Sequence, residues 1–222
     1  MVREAKSSRL GDIFGDRLIV LGAHPDDCEL MAGGLLCSWT GTKKAIFVTT
    51  MNKSHPQKQV VRQREIDSSM EVLGVEDYEV GPARDAELVH DAELTRYFDR
   101  LFRQFEPTVV VTHKADDFHQ DHRAISWGVE AALRRSPAML LQGESYLWPH
   151  PSPNLYVDIT RDIATKRKAL SCYRSIIENG TFDPDAVTTF HRMRGTQSFR
   201  FRYAECFRLV RALLDRPGNK RT

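Results

Sequence analysis

The stretch Leu18-Ile-Val-Leu-Gly-Ala-His24-Pro25-Asp26-Asp27-Cys28-Glu29 decides the fold and points to a functional site. It begins with branched apolar residues, which are typical of a buried parallel strand. The apolar run ends before Pro25, and three of the four residues after this proline carry carboxylates. Ligands of open α/β sheets bind at the carboxyl ends of the strands, so we interpret the cluster as part of a site. The alternative interpretation is a turn or a helix N-cap, in which Asp and Pro are also common.

Length and composition indicate one soluble domain. The 222 residues suffice for a single α/β domain with a buried core, and 28% charged with 41% apolar residues is typical of globular proteins. A net charge of +2 gives no argument for a nucleic-acid partner. No stretch is long enough to cross a bilayer, and the charged N-terminus lacks the apolar segment of a secretory signal. The cysteines lie far apart, so we expect reduced thiols in a cytoplasmic protein: Cys28, Cys37, Cys172 and Cys206.

The order of the predicted elements is that of a Rossmann-like α/β fold with a mostly parallel sheet flanked by helices. We predict strands over 17–23, 44–50, 78–80, 107–113 and 155–159, and helices over 29–39, 57–73, 90–105, 121–135 and 162–175. The pattern does not assign 178–200, and 202–211 fits a strand or a helix. The domain is predicted to span 17–208, between a polar lead-in at 1–16 and a basic tail at 209–222. No GxGxxG motif is present, so dinucleotide binding is unsupported.

Two details of the helices carry further expectations. Gly33 and Gly34 predict that the helix after the first cluster packs closely on the sheet. The apolar periodicity of 57–73 predicts that its inner side is formed by Val60, Val61, Ile66, Met70 and Leu73.

A second polar cluster follows the predicted strand 107–113. It reads Lys114-Ala-Asp-Asp-Phe-His-Gln-Asp-His-Arg123, and a helical turn would place His119 and His122 on one side. Two imidazoles and a carboxylate with an open fourth position are typical of a hydrolytic zinc centre, which also needs a free carboxylate as a base. Asp26 and Asp27 point different ways from an extended turn, so one can bind metal while the other stays free.

These residues bring the sequence to a known family. The chain resembles the PIG-L/LmbE-like zinc N-deacetylases, whose hallmarks are an AHPDD motif and a later HxDH-type motif. Here they read Ala23-His-Pro-Asp-Asp27 and His119-Gln-Asp-His122. Weaker likeness extends over most of residues 17–208, through Arg62–Glu65, Leu73–Val75, Val157–Thr160 and Tyr203–Phe207.

The resemblance implies hydrolysis of an N-acetyl group from an N-acetylglucosamine-type sugar conjugate, a small-molecule substrate. It implies zinc, or another divalent metal such as Fe²⁺, on His24, Asp27 and His122. It further implies that Asp26 is the general base, that His119 stabilises the oxyanion or protonates the leaving amine, and that Asp121 orients an imidazole. Arg62 or Arg64, and Asp85, match places where relatives contact the sugar or its aglycone. Two departures are Cys28-Glu29, where the commonest motif has Glu directly, and Gln120, where many relatives have Pro.

Several residues have two interpretations from the sequence. His113 is expected to touch the site from the strand end rather than to ligate metal, and Asp117, like Asp116, either binds substrate hydroxyls or shapes the loop. Cys28 is expected to pack rather than to ligate metal. Trp148 could stack on a sugar ring or pack in a Pro-rich loop. The arginines 192, 194, 200 and 202 fit a solvated basic face better than a phosphate site, and the histidines 55, 150 and 191 are expected at the surface or in loops.

Two other functions stay open from the sequence. One is an amidase that removes a larger acyl group from an amino-sugar or thiol conjugate. The other is a metal-bearing binding domain without catalysis, against which Asp26 and His119 speak. The sequence leaves the sugar, its carrier and a homo-oligomeric state open.

Overall fold

The computed structural model describes residues 13–40, 45–53, 58–147, 149–150 and 152–213. The strands in this part of the chain are β1 (Arg17–Gly22), β2 (Ala45–Lys53), β3 (Tyr78–Arg84), β4 (Val109–Thr112), β5 (Met139–Gly143), β6 (Leu155–Asp158) and β7 (Ala204–Arg211). The helices are α1 (Asp27–Thr40), α2 (Gln59–Leu73), α3 (Ala92–Phe105), α4 (Gln120–Leu133), α5 (Ile163–Leu170), α6 (Arg174–Ile177) and α7 (Pro184–Gln197). Among these helices, none combines the length and apolar composition that a membrane span needs.

The strands form one sheet in the order β3-β2-β1-β4-β5-β7-β6. The first five strands in this order pair in parallel, and β7 lies antiparallel between β5 and β6. Helices cover both faces of the sheet. The structure thus confirms the predicted α/β class, the mostly parallel sheet and the single domain.

The alternating side chains of β1 form part of two separate apolar clusters. Leu18 and Val20 pack on the sheet face that α1 and α2 cover, whereas Ile19 and Leu21 pack on the opposite face against α3 and α4. All four side chains are fully buried. Because β1 is anchored from both sides, the loop that follows it has a fixed starting point.

The sequence pattern did not predict β5 and α7. The first is short, and the buried side of the second is partly polar. β5 is only five residues long. The helix α7 lies inside the segment that the pattern could not assign, since its buried side includes His191 and Arg194 rather than an apolar stripe. The desolvation cost of Arg194 is offset by two bonds to buried Glu144, at 2.8 and 2.6 Å. The helix begins conventionally, with the Asp183 carboxylate accepting from the Asp185 N–H at 2.8 Å.

Other expectations need correction at their boundaries. The predicted helix 162–175 is divided into α5 and α6. Of the two alternatives left open for 202–211, the structure shows a strand, β7. Val60 and Val61 are 64% and 48% exposed, so they do not belong to the inner side of α2. Most of the lead-in 1–16 and the end of the basic tail lie outside the described residues.

Helix α1 has a kink directly before Gly33 and Gly34, the pair of glycines predicted to pack closely on the sheet. At Ala32 the backbone has φ −141°, which interrupts the helix. Beyond the kink, the buried Glu205 carboxylate accepts from the Gly34 and Leu35 N–H groups at 2.7 and 2.8 Å. The ammonium of Lys166 neutralises this carboxylate at 2.7 Å. Glu205 therefore caps the second half of the helix from across the fold.

We expect Gly34→Ala to lower the free energy of unfolding by about 1–3 kcal/mol. A Cβ at this position would lie 2.4 Å from Ile159 Cγ2, so the helix would have to move away from the strand end. Urea denaturation measures the loss. Gly33→Ala is the matched variant and should lose less, because its nearest neighbour is the Lys166 side chain at 3.0 Å. An unchanged stability of Gly34→Ala would contradict this packing.

Candidate active site

The sheet topology brings the two polar clusters together. β1 and β4 are parallel neighbours, with Leu18 opposite Val109, so their carboxyl ends lie at the same edge. The loop after β1 leads into α1, and the loop after β4 leads into α4. As a result, the rings of His24 and His122 lie 5.3 Å apart although 98 residues separate them in the sequence.

Three side-chain atoms from these loops form a nearly equilateral triangle. His24 Nδ1 lies 3.3 Å from Asp27 Oδ2, Asp27 Oδ2 lies 3.4 Å from His122 Nε2, and the two imidazole nitrogens are 3.3 Å apart. Ligand atoms of a tetrahedral zinc ion, with bonds of about 2.0–2.2 Å, lie roughly 3.3–3.6 Å from one another. The triangle therefore fits one face of such a coordination sphere and leaves a fourth position open. It consists of the three residues that the sequence predicted as ligands.

Each member of the triangle is held in place by a further contact. Asp27 Oδ2 accepts from the backbone N–H groups of Ala23 and His24, at 3.0 and 2.7 Å. His24 Nε2 lies 3.2 Å from the buried Asp121 carboxylate, and His122 Nδ1 lies 3.3 Å from Asp117. Carboxylates on the far nitrogen orient a ligating imidazole and increase its basicity. Asp121 thus lies where the predicted orienting residue should be, and Asp117 is its counterpart for the other ring.

The carboxylates around the triangle change the pKa of both imidazoles. Burial lowers the pKa of His24, but hydrogen bonds to Asp121, Asp27 and Asp85 outweigh it and raise the pKa to about 12. Burial likewise opposes the charge of His122, yet the nearby Asp27 and Asp117 carboxylates raise its pKa to about 9. Both imidazoles are therefore protonated and positively charged at neutral pH when no other cation is present. A divalent cation would replace this positive charge.

Asp26 stands beside the triangle in a strained backbone conformation. Its φ is 102°, a value that residues with a side chain rarely adopt, and its side chain is 6% exposed. Burial raises the pKa of the Asp26 carboxyl well above its usual range, and the carboxylates of Asp27 and Glu29 raise it further. A raised pKa suits a carboxylate that must accept a proton.

His119 caps α4 with its own ring. Its Nδ1 accepts from the Asp121 N–H at 3.2 Å, so in the neutral ring the proton lies on Nε2. Burial lowers the pKa of His119, and the charges of His24 and His122 lower it further. His119 is therefore a neutral hydrogen-bond donor at neutral pH, with its ring centroid 4.6 Å from that of His24.

A cavity of about 300 Å³ opens over these groups. Its polar side is formed by the cluster residues together with Arg62 and Asp85, and its apolar side by Leu30, Leu147, Ile176 and Phe182. Of the two candidate arginines, Arg62 lines the cavity, whereas Arg64 is exposed and does not. Asp85 also lies 3.2 Å from His24 Nε2, and this contact lowers the pKa of its carboxyl.

Gln120, where many relatives have Pro, holds the loop that carries Asp85. Its side-chain amide donates to the carbonyl oxygen of Ala86 at 2.7 Å, and the Ala86 N–H donates to Asp121 at 2.8 Å. Ala86 itself has φ 63°, a conformation that these two bonds stabilise. The loop after β3 is thereby fixed to the start of α4.

Two of the predicted substrate contacts, His113 and Asp117, lie behind the triangle instead of lining the cavity. His113 is 3% exposed, stacks on His122 at 3.8 Å between centroids, and accepts from the Ala23 N–H at 3.0 Å. Burial and the nearby charge of His122 lower its pKa to about 4, which keeps it neutral. The geometry thus favours positioning roles for both residues over contact with a sugar.

Of the histidines expected at the surface or in loops, His191 requires correction because it is buried in α7, whereas His150 lies in the loop between β5 and β6 and is buried there. His150 and His191 are 4% and 2% exposed, and each bonds a backbone carbonyl, of Gln142 at 3.2 Å and of Ala204 at 2.9 Å respectively. Neither contributes to the site. Cys28 is fully buried, as its expected packing role requires. His55 and Trp148 lie outside the described residues.

Sequence reasoning missed a buried hydrogen-bond network around Glu29. The fully buried Glu29 accepts from Ser69 at 2.6 Å and from Tyr173 at 2.5 Å, and burial raises the pKa of its carboxyl. Glu29 could have been singled out from its place in the acidic cluster. No sequence pattern points to Ser69 or Tyr173, because they contact Glu29 from positions 40 and 144 residues away in the chain.

The family comparison rests on the part of the chain that contains both clusters. The model of the PIG-L family, described as GlcNAc-PI de-N-acetylase, matches residues 19–133, just over half of the chain. The chain belongs to the PIG-L family. The matched range contains all three residues of the triangle as well as Asp26 and His119.

Solved structures share the fold of this PIG-L protein. The conserved protein TT1542 from Thermus thermophilus is 24% identical, with a TM-score of 0.75, and the match covers 93% of this chain and 100% of that chain. N,N'-diacetylchitobiose deacetylase from Pyrococcus horikoshii is 20% identical, with a TM-score of 0.72 and coverage of 88% and 84%. GalB, the 4-carboxy-2-hydroxymuconate hydratase from Pseudomonas putida, is 18% identical, with a TM-score of 0.76 and coverage of 90% and 98%. Since one of these neighbours is a hydratase, the fold alone does not decide the reaction.

Proposed function

We propose that this PIG-L protein is a zinc-dependent N-deacetylase that removes the acetyl group from a small acetamido-sugar conjugate and releases acetate and a free amine. The observation that carries the proposal is the triangle of His24, Asp27 and His122, with the unligated carboxylate of Asp26 beside it. A hydrolytic zinc site needs both parts: ligands that leave one position open, and a base near the water. When bound, zinc would lower the pKa of a water molecule and polarise the acetyl carbonyl.

Asp26 would move the proton. Its carboxylate accepts a proton from the attacking water and later delivers it to the nitrogen of the leaving amine. Because the pKa of Asp26 is raised, its carboxylate accepts a proton more readily than an ordinary carboxylate does, which favours its role in both proton transfers.

His119 would stabilise the oxyanion of the tetrahedral intermediate rather than protonate the amine. Its Nδ1 is engaged by the Asp121 N–H, which leaves Nε2–H as the donor toward the cavity. A protonated ring would lose this acceptor, and the lowered pKa makes the protonated form rare at neutral pH. A donor fixed before the reaction is worth more than one that must reorganise.

The cavity favours a neutral or weakly polar substrate of sugar size. Arg62 and Asp85 offer a donor and an acceptor for hydroxyl groups, and the apolar wall offers a surface for carbon atoms. Among the similar structures, those of a diacetylchitobiose deacetylase and a teicoplanin deacetylase carry names that specify deacetylation. These features support an acetamido sugar over a larger acyl amide.

The direct test is acetate release by the zinc-loaded protein from free, nucleotide-linked, inositol-linked and oligosaccharide acetamido sugars. We expect release from at least one of them and no turnover after removal of the metal. Substrates with the same sugar and longer acyl chains separate a deacetylase from an amidase, since a deacetylase loses activity as the chain grows. Zinc binding without turnover of any amide would support a binding domain instead.

We expect zinc binding at pH 7 to release about two protons per ion, because His24 and His122 are protonated in the metal-free protein and must lose their protons to ligate. The apparent affinity should accordingly fall by about a hundredfold for each pH unit below 7. Calorimetry in buffers with different ionisation enthalpies measures the release. Asp27 has a lowered pKa and contributes no proton. Binding without proton release would exclude the two histidines as ligands.

A further inference from the structure

A second cavity lies next to the first along the surface of α2. It measures about 450 Å³ and shares Pro25 and Arg62 with the cavity over the triangle. Its other lining residues come from α2 and β3: Gln59, Val60, Gln63, Ile66 and Val80. We call it the α2 groove. The two cavities are therefore adjacent at Pro25 and Arg62.

Four of the seven described lining residues of the groove are apolar, two are neutral amides and one is charged. Pro25, Val60, Ile66 and Val80 present hydrocarbon, and the two glutamines present neutral amides. Val60 is 64% exposed, so most of this branched apolar side chain is available to a ligand. No carboxylate is among the lining residues that the structure describes.

The cation in the described lining, Arg62, is already paired. Its guanidinium bonds Glu65 at 3.1 Å, and Glu65 is itself buried and accepts from the Ser175 N–H and hydroxyl at 2.7 and 2.6 Å. A phosphate or diphosphate in the groove would meet one paired arginine and no lysine among these described lining residues. Such a ligand needs several donors or cations to replace its hydration. The described lining residues therefore favour an uncharged carrier over an anionic one.

We propose that the α2 groove binds an uncharged aglycone with a hydrocarbon part, attached to the acetamido sugar whose acetyl group is removed. This inference rests on the proposed function and adds the class of aglycone. The hydrocarbon packs on Val60, Ile66 and Val80, and the glutamine amides meet any ether or hydroxyl group near the sugar. The substrate is then a neutral glycoside rather than a sugar phosphate.

The test compares hexyl and methyl N-acetylglucosaminides of the same anomeric configuration, together with N-acetylglucosamine 1-phosphate. We expect kcat/KM of the zinc-loaded protein for the hexyl glycoside to exceed that for the methyl glycoside about tenfold, which corresponds to partial burial of the extra methylene groups. The 1-phosphate should be the poorest substrate. Equal values for hexyl and methyl, or a preference for the 1-phosphate, would overturn the proposal.

Two neighbouring valines supply the variants. Val60→Asp places a charge in the groove and should reduce the hexyl preference, the ratio of kcat/KM for the hexyl to that for the methyl glycoside, to within about twofold. Val61→Asp is the matched control, because Val61 is 48% exposed on the same helix but does not line the groove. The control should keep the full preference. An equal loss in both variants would contradict a specific site.

A binding measurement keeps this inference separate from the proposed function. If no glycoside is hydrolysed, the proposed deacetylase activity fails. Calorimetric titration of the zinc-loaded protein with the hexyl and methyl glycosides then still tests the groove. A tighter Kd for hexyl that Val60→Asp abolishes and Val61→Asp preserves would support it, and equal Kd values would reject it.

Discussion

Asp26→Asn is expected to lower acetate release by about a thousandfold while zinc stays bound. The amide keeps the size of the carboxylate but cannot take a proton from water, so the loss falls on kcat. Because Asp26 is not part of the triangle, metal content should match that of the unaltered protein. Acetate release under saturating substrate and metal analysis of the same sample give the two quantities.

Asp116→Asn is the matched control for this experiment. Asp116 lies in the loop after β4, is exposed, and is not among the residues that line the cavity. Its replacement should leave kcat within about twofold of the unaltered protein. If Asp26→Asn kept zinc and released acetate at the original rate, the base would have to be another group.

His122→Ala is expected to weaken zinc binding by more than about a hundredfold and to abolish activity. Loss of a carboxylate behind a ligating histidine already costs about 10–100-fold in metal affinity, and loss of the ligand itself costs more. Competition with a chelator of known affinity measures the change.

The variant His119→Ala tests whether His119 binds the metal or only lies beside the metal site. His24, His119 and His122 also approach one another within 4.8 Å, so His119 is a competing choice of ligand. In the proposed site His119 only donates to the oxyanion, and its loss should cost about a hundredfold in kcat with zinc content unchanged. Loss of zinc from His119→Ala and its retention by His122→Ala would reverse the two assignments.

Much of the site could be predicted because the chemistry lies at strand ends. The carboxyl ends of neighbouring parallel strands meet at one edge, so two polar clusters after β1 and β4 must approach each other. That rule needs neither the register nor the loop conformation. It accounts for the approach of the two clusters, whereas the choice of His24, Asp27 and His122 as ligands rests on the family resemblance.

The choice between Arg62 and Arg64 shows what the sequence pattern could not predict. Two positions apart on a helix, their side chains point about 200° away from each other, so only one can face the cavity. The pattern could not set the rotation of α2, since Val60 and Val61 suggest an inner side that is in fact exposed. The position of α2 is set by Ile66, Met70 and Leu73 against the core.

The residues behind the site depend on tertiary packing that no local pattern records. His113 and Asp117 follow a strand end, as the proposed ligands do, yet burial and contact with Asp27 and His122 turn them toward the interior. The apolar wall of the cavity comes from Leu147, Ile176 and Phe182, which belong to segments without a functional motif. Only the folded chain places them near the triangle.

The most direct test of the proposed metal site is the position of zinc in a crystal of the loaded protein, located by anomalous scattering at the zinc edge. We predict one ion bonded at about 2.0–2.2 Å to His24 Nδ1, an Asp27 carboxylate oxygen and His122 Nε2, with Asp26 unligated beside the open position. An ion held instead by His113 or His119, or by His24 with Asp85 and Asp121, would contradict this site.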